Sequence, residues 1–233
     1  MKNLLTGIVL AGVLAGTLAL AETAASGPVL RLTATTANVS GAPDSIRIDV
    51  LRWSTDAERD QLMAAWNMTA PAGGRAGRGG RGGGGRGGGG GRGGRGGEDA
   101  APPPTPESTL AAALEQIPTV GYLWSSEVAG YALRYAGRVA SPDGGERIIL
   151  ITDRRLGNAN DLWKPAAAGT ASTYEFSVIE LRLNAKEDGE GKISLMGKVA
   201  PDSAAKILTP ENYDALPVVL KNVKHHVEGA AGK

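Results

Sequence analysis

Cysteine is absent from the 233 residues, and phenylalanine occurs once. Without cysteine there are no disulfides, no thiol nucleophile, no thiolate zinc site and no Fe–S cluster. Histidine is nearly missing as well: His225 and His226 are adjacent and close to the end of the sequence. Neighbouring residues of a strand point to opposite faces, so these two cannot easily share one metal ion. A solvated, fraying tail from Lys224 is the simpler reading. It leaves the core without its commonest general base and without Ser-His-Asp machinery. No G-x-S-x-G, HExxH, Walker or dinucleotide fingerprint occurs. The expectation is no cofactor and no metal site. After the first 20 residues no long apolar run remains, so no helix of the mature chain is expected to span a membrane.

What is present begins with an export signal. Lys2 supplies a positive start, Leu4 to Leu20 is apolar apart from Gly and Thr, and Ala19-Leu20-Ala21 is a small-x-small cleavage pattern. Residues 1–21 therefore read as a signal peptide cut before Glu22, and the mature protein as secreted or periplasmic. An uncleaved anchor is the alternative, disfavoured by the Ala/Gly content and the cleavage pattern. With no cysteine after the run, a lipid anchor through cysteine is excluded. An export signal without disulfides suits a bacterial host, in which Asn38-Val39-Ser40 and Asn67-Met68-Thr69 are chance matches to the glycosylation pattern.

The net charge of +1 conceals a segregation. Arg75, Arg78, Arg81, Arg86, Arg92 and Arg95 lie in residues 72–97, which otherwise hold only Gly and two Ala. Setting those six and Lys2 aside, 18 of the 25 basic residues face 24 acidic ones. The Gly/Arg segment has no apolar group to bury and a high unfolded entropy, so it is expected to be disordered. As a flexible coil it would reach about 25–30 Å end to end. With the Pro-rich stretch that follows, it forms a loop over 69–105 interrupting a single β-rich domain over 29–233, after a flexible 22–28.

The remaining sequence is mostly strand-like. Val29 to Thr35 is rich in β-branched residues, and Ile46, Ile48 and Val50 alternate with Arg47 and Asp49. Further strands are expected at 120–124, 131–139, 147–152, 174–183, 192–199, 206–208 and 216–223. Ser141-Pro142-Asp143-Gly144-Gly145 and Glu187-Asp188-Gly189-Glu190-Gly191 read as hairpin turns. Alternation breaks in 174–183: Tyr174, Phe176 and Val178 share one face, then Ile179, Leu181 and Leu183 take the other. A bulge or a strand buried on both faces explains this.

Thr55 followed by Glu58 is a capping box that opens a helix to about Trp66, with Leu62, Met63 and Trp66 apolar. Pro106-Glu107-Ser108 opens a second through Gln116, with Leu110, Ala113, Leu114 and Ile117 on one face. The fold class is thus mainly β (α+β). About nine antiparallel strands form a sandwich or partly closed barrel, and two short helices flank the Gly/Arg insert.

In that order, Arg52-Trp53-Ser54-Thr55, Glu58-Arg59-Asp60, Val120-Gly121-Tyr122, Thr152-Asp153-Arg154, Phe176 to Leu183 and Glu211-Asn212-Tyr213 resemble a group of uncharacterised exported bacterial proteins. The resemblance covers nearly all of the mature chain except the Gly/Arg segment. It implies no substrate or site residue, only that the segment is an addition to a shared domain.

Candidate chemistry is sparse. Among carboxylates, Glu175, Glu180, Asp153 and Asp49 could serve acid–base hydrolysis or isomerisation if two of them faced each other across a cleft about 5–10 Å wide. The plainer reading is strand acids paired with Arg47, Arg134, Arg138 or Arg182. Trp53, Trp66, Trp124 and Trp163 with Tyr122, Tyr131 and Tyr135 read mainly as the bulky part of an aliphatic core. Trp163 sits in a loop after Gly157-Asn158-Ala159-Asn160-Asp161-Leu162, where packing is less expected. It joins Tyr122 and Trp124 as the ligand-binding candidates. The six insert arginines are candidates for weak, salt-sensitive contact with polyanions. A GC-rich expansion tolerated in a surface loop explains them equally.

Three functions follow: a non-enzymatic exported domain binding a small ligand or envelope partner, a carboxylate-based hydrolase or isomerase, or a polyanion binder working through its insert. Replacing residues 72–97 by a short Gly/Ser link is expected to leave the Tm within a few degrees, as surface changes do. Loss of cooperative unfolding in that variant would show that the segment packs.

Overall fold

Strands that alternate in polarity keep one face wet, and strands that do not must be covered on both. Both kinds occur here, in one sheet. The computed structural model describes residues 27–69, 103–125, 130–158, 163–166, 173–195 and 198–226. The expected signal segment 1–21, residues 22–26 of the expected flexible stretch and the Gly/Arg segment 72–97 lie outside the described residues.

In chain order the elements are β1 (Leu30–Thr36), β2 (Val39–Ser40), β3 (Ser45–Val50), α1 (Asp56–Trp66), α2 (Pro106–Gln116), β4 (Gly121–Trp124), β5 (Gly130–Ala140) and β6 (Glu146–Thr152). Then come β7 (Lys164–Pro165), β8 (Val178–Leu183), β9 (Asp188–Ile193), β10 (Val199–Asp202), β11 (Ile207–Pro210), a 3-10 turn (Tyr213–Ala215) and β12 (Leu220–His225). Eight strands form one closed antiparallel barrel in the order β1-β12-β9-β8-β6-β5-β4-β3, with β3 pairing back onto β1. The sheet closes on itself, so the barrel form is the one adopted rather than two stacked sheets. The pairs β2–β7 and β10–β11 are separate small ribbons.

An eight-stranded barrel is just wide enough to be filled by side chains. Leu32, Ile48, Leu123, Leu133, Ile148, Leu150, Ile179, Leu181 and Val223 fill it. A second apolar layer lies outside the wall of β5, β6 and β8. There Leu62 of α1 and Leu110 and Leu114 of α2 pack with Ile149, Ile151, Phe176 and Val178. That is why β6 reads Ile-Ile-Leu-Ile without alternation: Ile148 and Leu150 point inward, Ile149 and Ile151 point under the helices. The same two-sided burial accounts for the switch at Val178–Ile179. Each fully buried aliphatic side chain contributes roughly 1.5–3 kcal/mol.

Both helices start where local chemistry places them. Thr55 caps α1 and Glu58 closes the box; Thr105 caps α2 with Ser108 in the corresponding place. Strand bounds differ more. The strand expected from Tyr174 starts at Val178; at Ser177 the one backbone bond, from the Thr152 amide at 3.0 Å, is joined by side-chain bonds in place of a continued ladder. Thr152 Oγ1 accepts from the Ser177 amide at 2.9 Å, and Ser177 Oγ accepts from the Leu156 amide at 3.0 Å.

The turn expected over 187–191 lies earlier, at Asn184–Glu187, and Asp188–Gly191 are in β9. A Cβ at Gly189 would meet the Arg182 carbonyl oxygen, so glycine serves there for close strand approach, not for turning. The expected fraying tail is also corrected in part. Residues 224 and 225 belong to β12, with Leu32 opposite His225, and the His226 amide donates to the Arg31 carbonyl at 2.8 Å.

Trp163 is not a free loop side chain. It is 1% exposed and seals one end of the barrel, where pairing of β2 with β7 brings it against the interior cluster. Its φ of +58° is a left-handed conformation that disfavours a bulky residue by about 1–2 kcal/mol, outweighed by burial of the indole.

Glu58 carries a measurable acid dependence. Its hydrogen bonds from Arg52, at 2.7 and 2.9 Å, with help from the Thr55 amide, hold its carboxyl at about 2 against an ordinary 4.5, although burial opposes the shift. A carboxyl lowered in the folded state stabilises fully above its unfolded pKa and loses that contribution as pH falls toward the folded value. Glu58→Gln is expected to lower stability by about 1–2 kcal/mol at pH 7, allowing for the partial exposure of Arg52. The gap from the parent protein should narrow as pH drops from about 4.5 toward 2. Urea midpoints across that range check it; a pH-independent gap would contradict the assignment.

Candidate ligand-binding surface

Among the described residues no helix lies over the wall of β12, β1, β3 and β4, and its outward residues are polar or aromatic. Arg31 and Thr33 project from β1, Arg47 and Asp49 from β3, and Tyr122 and Trp124 from β4, between the inward Leu32, Ile48 and Leu123. Register sets Trp124 opposite Arg47 and Tyr122 opposite Asp49. Asp49, 7% exposed, organises the group. It accepts from Arg31 Nε at 2.8 Å, Arg47 Nε at 3.1 Å and Trp124 Nε1 at 2.9 Å. These donors orient the indole and both guanidinium groups.

Two of the sequence candidates therefore meet. The Tyr122 and Trp124 rings are 5.2 Å apart at 37°, and the Arg47 guanidinium lies 5.3 Å from the Trp124 ring centre. On the β5 side their partners are Ala132 and Gly130. A Cβ at Gly130 would come within 3.0 Å of the indole, so glycine makes room for the ring. The Arg47 side chain is 42% exposed, and its terminal nitrogens have no hydrogen bond among the described residues. Thr33, Ser45, Arg47 and Trp124 line a cleft of about 500 Å³, with Asp44 and Ser125 also in its wall. Such a combination of ring face, hydroxyls and cation suits a flat polar ligand.

The other candidates are scattered. Trp163 is interior, as described, which removes it from the ligand surface. Glu175 is exposed, whereas Glu180 is fully buried on the outer side of β8. Glu180 Oε1 accepts from Arg147 Nε at 3.0 Å and Arg182 Nε at 2.9 Å. Arg147 continues to Asp202 at 2.8 Å, and Arg182 to Asp214 at 3.3 Å. Lys192, across from Glu180, donates to the Tyr213 carbonyl at 2.7 Å, and Arg182 lies 3.6 Å from the Tyr213 ring centre. Burial raises the Tyr213 hydroxyl above its ordinary pKa. This network fastens the β10–β11 ribbon and the 3-10 turn to the barrel. Asp153 pairs with Arg134 at 3.3 Å. Three of the four arginines named as partners for these acids, Arg47, Arg134 and Arg182, are so used; Arg138 lies over Trp53 instead. The six insert arginines lie outside the described residues.

One group was missed from sequence. His225, Glu146, Glu187 and Arg138 converge at the barrel end opposite Trp163. The signal was the period-two phase of β5 and β6, which carries Arg138 and Glu146 inward. Among the described residues, no three His, Asp or Glu side chains are grouped to hold a metal ion, and no helix is long and apolar enough to cross a membrane.

Comparison with protein-family models, with curated proteins and with solved structures finds no match.

Removing Glu180 leaves Arg147 and Arg182 without their shared partner. Glu180→Ala is expected to lose about 3 kcal/mol, or some 6–12 °C in Tm, while exposed Glu175→Ala stays within about 0.5 kcal/mol. Denaturant titration of both variants checks this; equal losses would deny the network its stabilising role.

Proposed function

We propose that this chain is an exported, non-enzymatic binding domain whose bare barrel wall takes an acidic saccharide. The observation that carries the reading is Trp124, backed by Tyr122 at 5.2 Å between ring centres, beside the uncommitted terminal nitrogens of Arg47 in a cleft of about 500 Å³ that Trp124 and Arg47 line. Ring faces receive the apolar face of a pyranose, the Thr33 and Ser45 hydroxyls and Asp44 suit its hydroxyl groups, and Arg47 suits a uronate carboxylate. Asp49, Glu180 and Asp153 are each matched to arginine, which favours binding over acid–base chemistry. The leader-like residues 1–21 and the lack of cysteine support a place outside the cytoplasm, where acidic glycans of the envelope are met.

Calorimetric titration with an oligogalacturonide and with a neutral oligosaccharide of equal length tests the proposal. The acidic ligand is expected to bind at least tenfold more tightly. Tyr122→Ala should weaken it about tenfold, or about 1.4 kcal/mol, and Arg47→Gln should erase the preference for the acid. Deleting residues 72–97 should change the affinity less than twofold. Binding that survives both point variants and disappears with the deletion would overturn the wall site in favour of the insert.

A further inference from the structure

Three inward rows of the barrel are apolar until their last position at the end opposite Trp163. There β5 runs Ala136 then Arg138, β6 starts with Glu146 before Ile148, and β12 ends Val223 then His225. Two adjoining clefts of about 430 and 520 Å³ share these three side chains. Barrel mouths are places where ligands bind, since walls of low dielectric surround a few polar groups.

The cation Arg138 is not paired with the carboxylates of this mouth. The Arg138 guanidinium lies 5.0 Å from the Trp53 ring centre and makes no hydrogen bond or ion pair among the described residues. Across the clefts, His225 stands between two carboxylates, with Nδ1 3.4 Å from Glu187 and Nε2 3.7 Å from Glu146. His225 Nε2 is buried and has no hydrogen-bond partner. A guanidinium and a glutamate lining one small space usually form an ion pair. Here stacking on Trp53 holds the cation on its own side, and the clefts are left positive at one wall and negative at the other.

We propose that this mouth is a second binding site, for a small dipolar ligand carrying a carboxylate and an ammonium group, such as an amino acid. The carboxylate takes the fork of Arg138, the ammonium lies at Glu146 and Glu187, and the His225 imidazole supplies a further polar contact. Each end then gains a charge-assisted hydrogen bond, and a ligand of one sign satisfies only half of the site. The site does not rest on the saccharide reading, because its clefts share no residue with the wall cleft.

The ω-amino acids from glycine to 6-aminohexanoate scan the charge separation. The readout is the Trp53 indole N–H signal in a nitrogen–proton NMR spectrum of the full chain, identified by its loss in Trp53→Phe. One chain length is expected to give a saturable shift. Acetate and propylamine, each alone, should bind at least tenfold more weakly. Arg138→Gln and Glu146→Gln should each weaken the best ligand at least tenfold, and Arg138→Lys less, with the remaining spectrum of each variant unchanged. No saturable shift with any member, acetate binding as well as the best amino acid, or variants that fold and bind normally would each overturn the site. A shift at Trp124 instead of Trp53 would also overturn it, without touching the saccharide proposal.

Discussion

Closure of the sheet between β1 and β3 is the constraint on which the rest depends. Six consecutive pairs, from Leu30–Val50 to Thr35–Ser45, join the first strand of the barrel to the third element of the chain. Once closed, the sheet has no edges to protect, and every strand must send alternate side chains into a space that only apolar residues fill well. The outer surface then divides. Over β5, β6 and β8 it is covered by α1, α2 and the β10–β11 ribbon; over β12, β1, β3 and β4 it meets water. A polar outer wall around an apolar filling is the inverse of a membrane-spanning barrel, whose exterior is apolar.

At the margin of the covered side, apolar packing gives way to ion pairs. Glu180 is enclosed by Arg147, Arg182 and Lys192, and its second oxygen has no hydrogen-bond partner. Burial of a carboxylate is tolerated only with such compensation. The arrangement is directional, since each arginine turns from Glu180 to an acid on a different segment, Asp202 or Asp214. Glu180, one of the candidate acids, thus joins separate parts of the fold.

The bare wall and the barrel mouth use the opposite device. Arg47 and Arg138 are each steadied by an indole and, in the case of Arg47, by one bond to Asp49, while most of their donors stay unused. Cations held in place with donors left over are suited to recognition, because little order is lost when a ligand arrives.

Local periodicity and cap chemistry were written plainly in the chain. Thr55 with Glu58 and Pro106 after Thr105 marked both helices, and Ile46, Ile48 and Val50 marked a half-wet strand, because neighbours within four residues make those interactions. The change of face at Val178–Ile179 left a bulge or a strand covered on both sides, and packing under the helices decided for the second. Other features depend on residues distant in sequence. Gly189 resembled a turn residue until β8 came close enough to forbid a Cβ. Trp163 looked like a surface ring until β2 paired with β7. His225 looked like tail until β12 paired with β1. Arg147 and Asp202 are 55 positions apart, and no pattern along the chain announces their bond. The sequence alone determined both helices and the general run of strands, since caps and periodicity are interactions of near neighbours, while several strand ends waited for their partners. Only the tertiary structure decided which side chains are enclosed and which charges are left free, since those depend on the closing of the barrel.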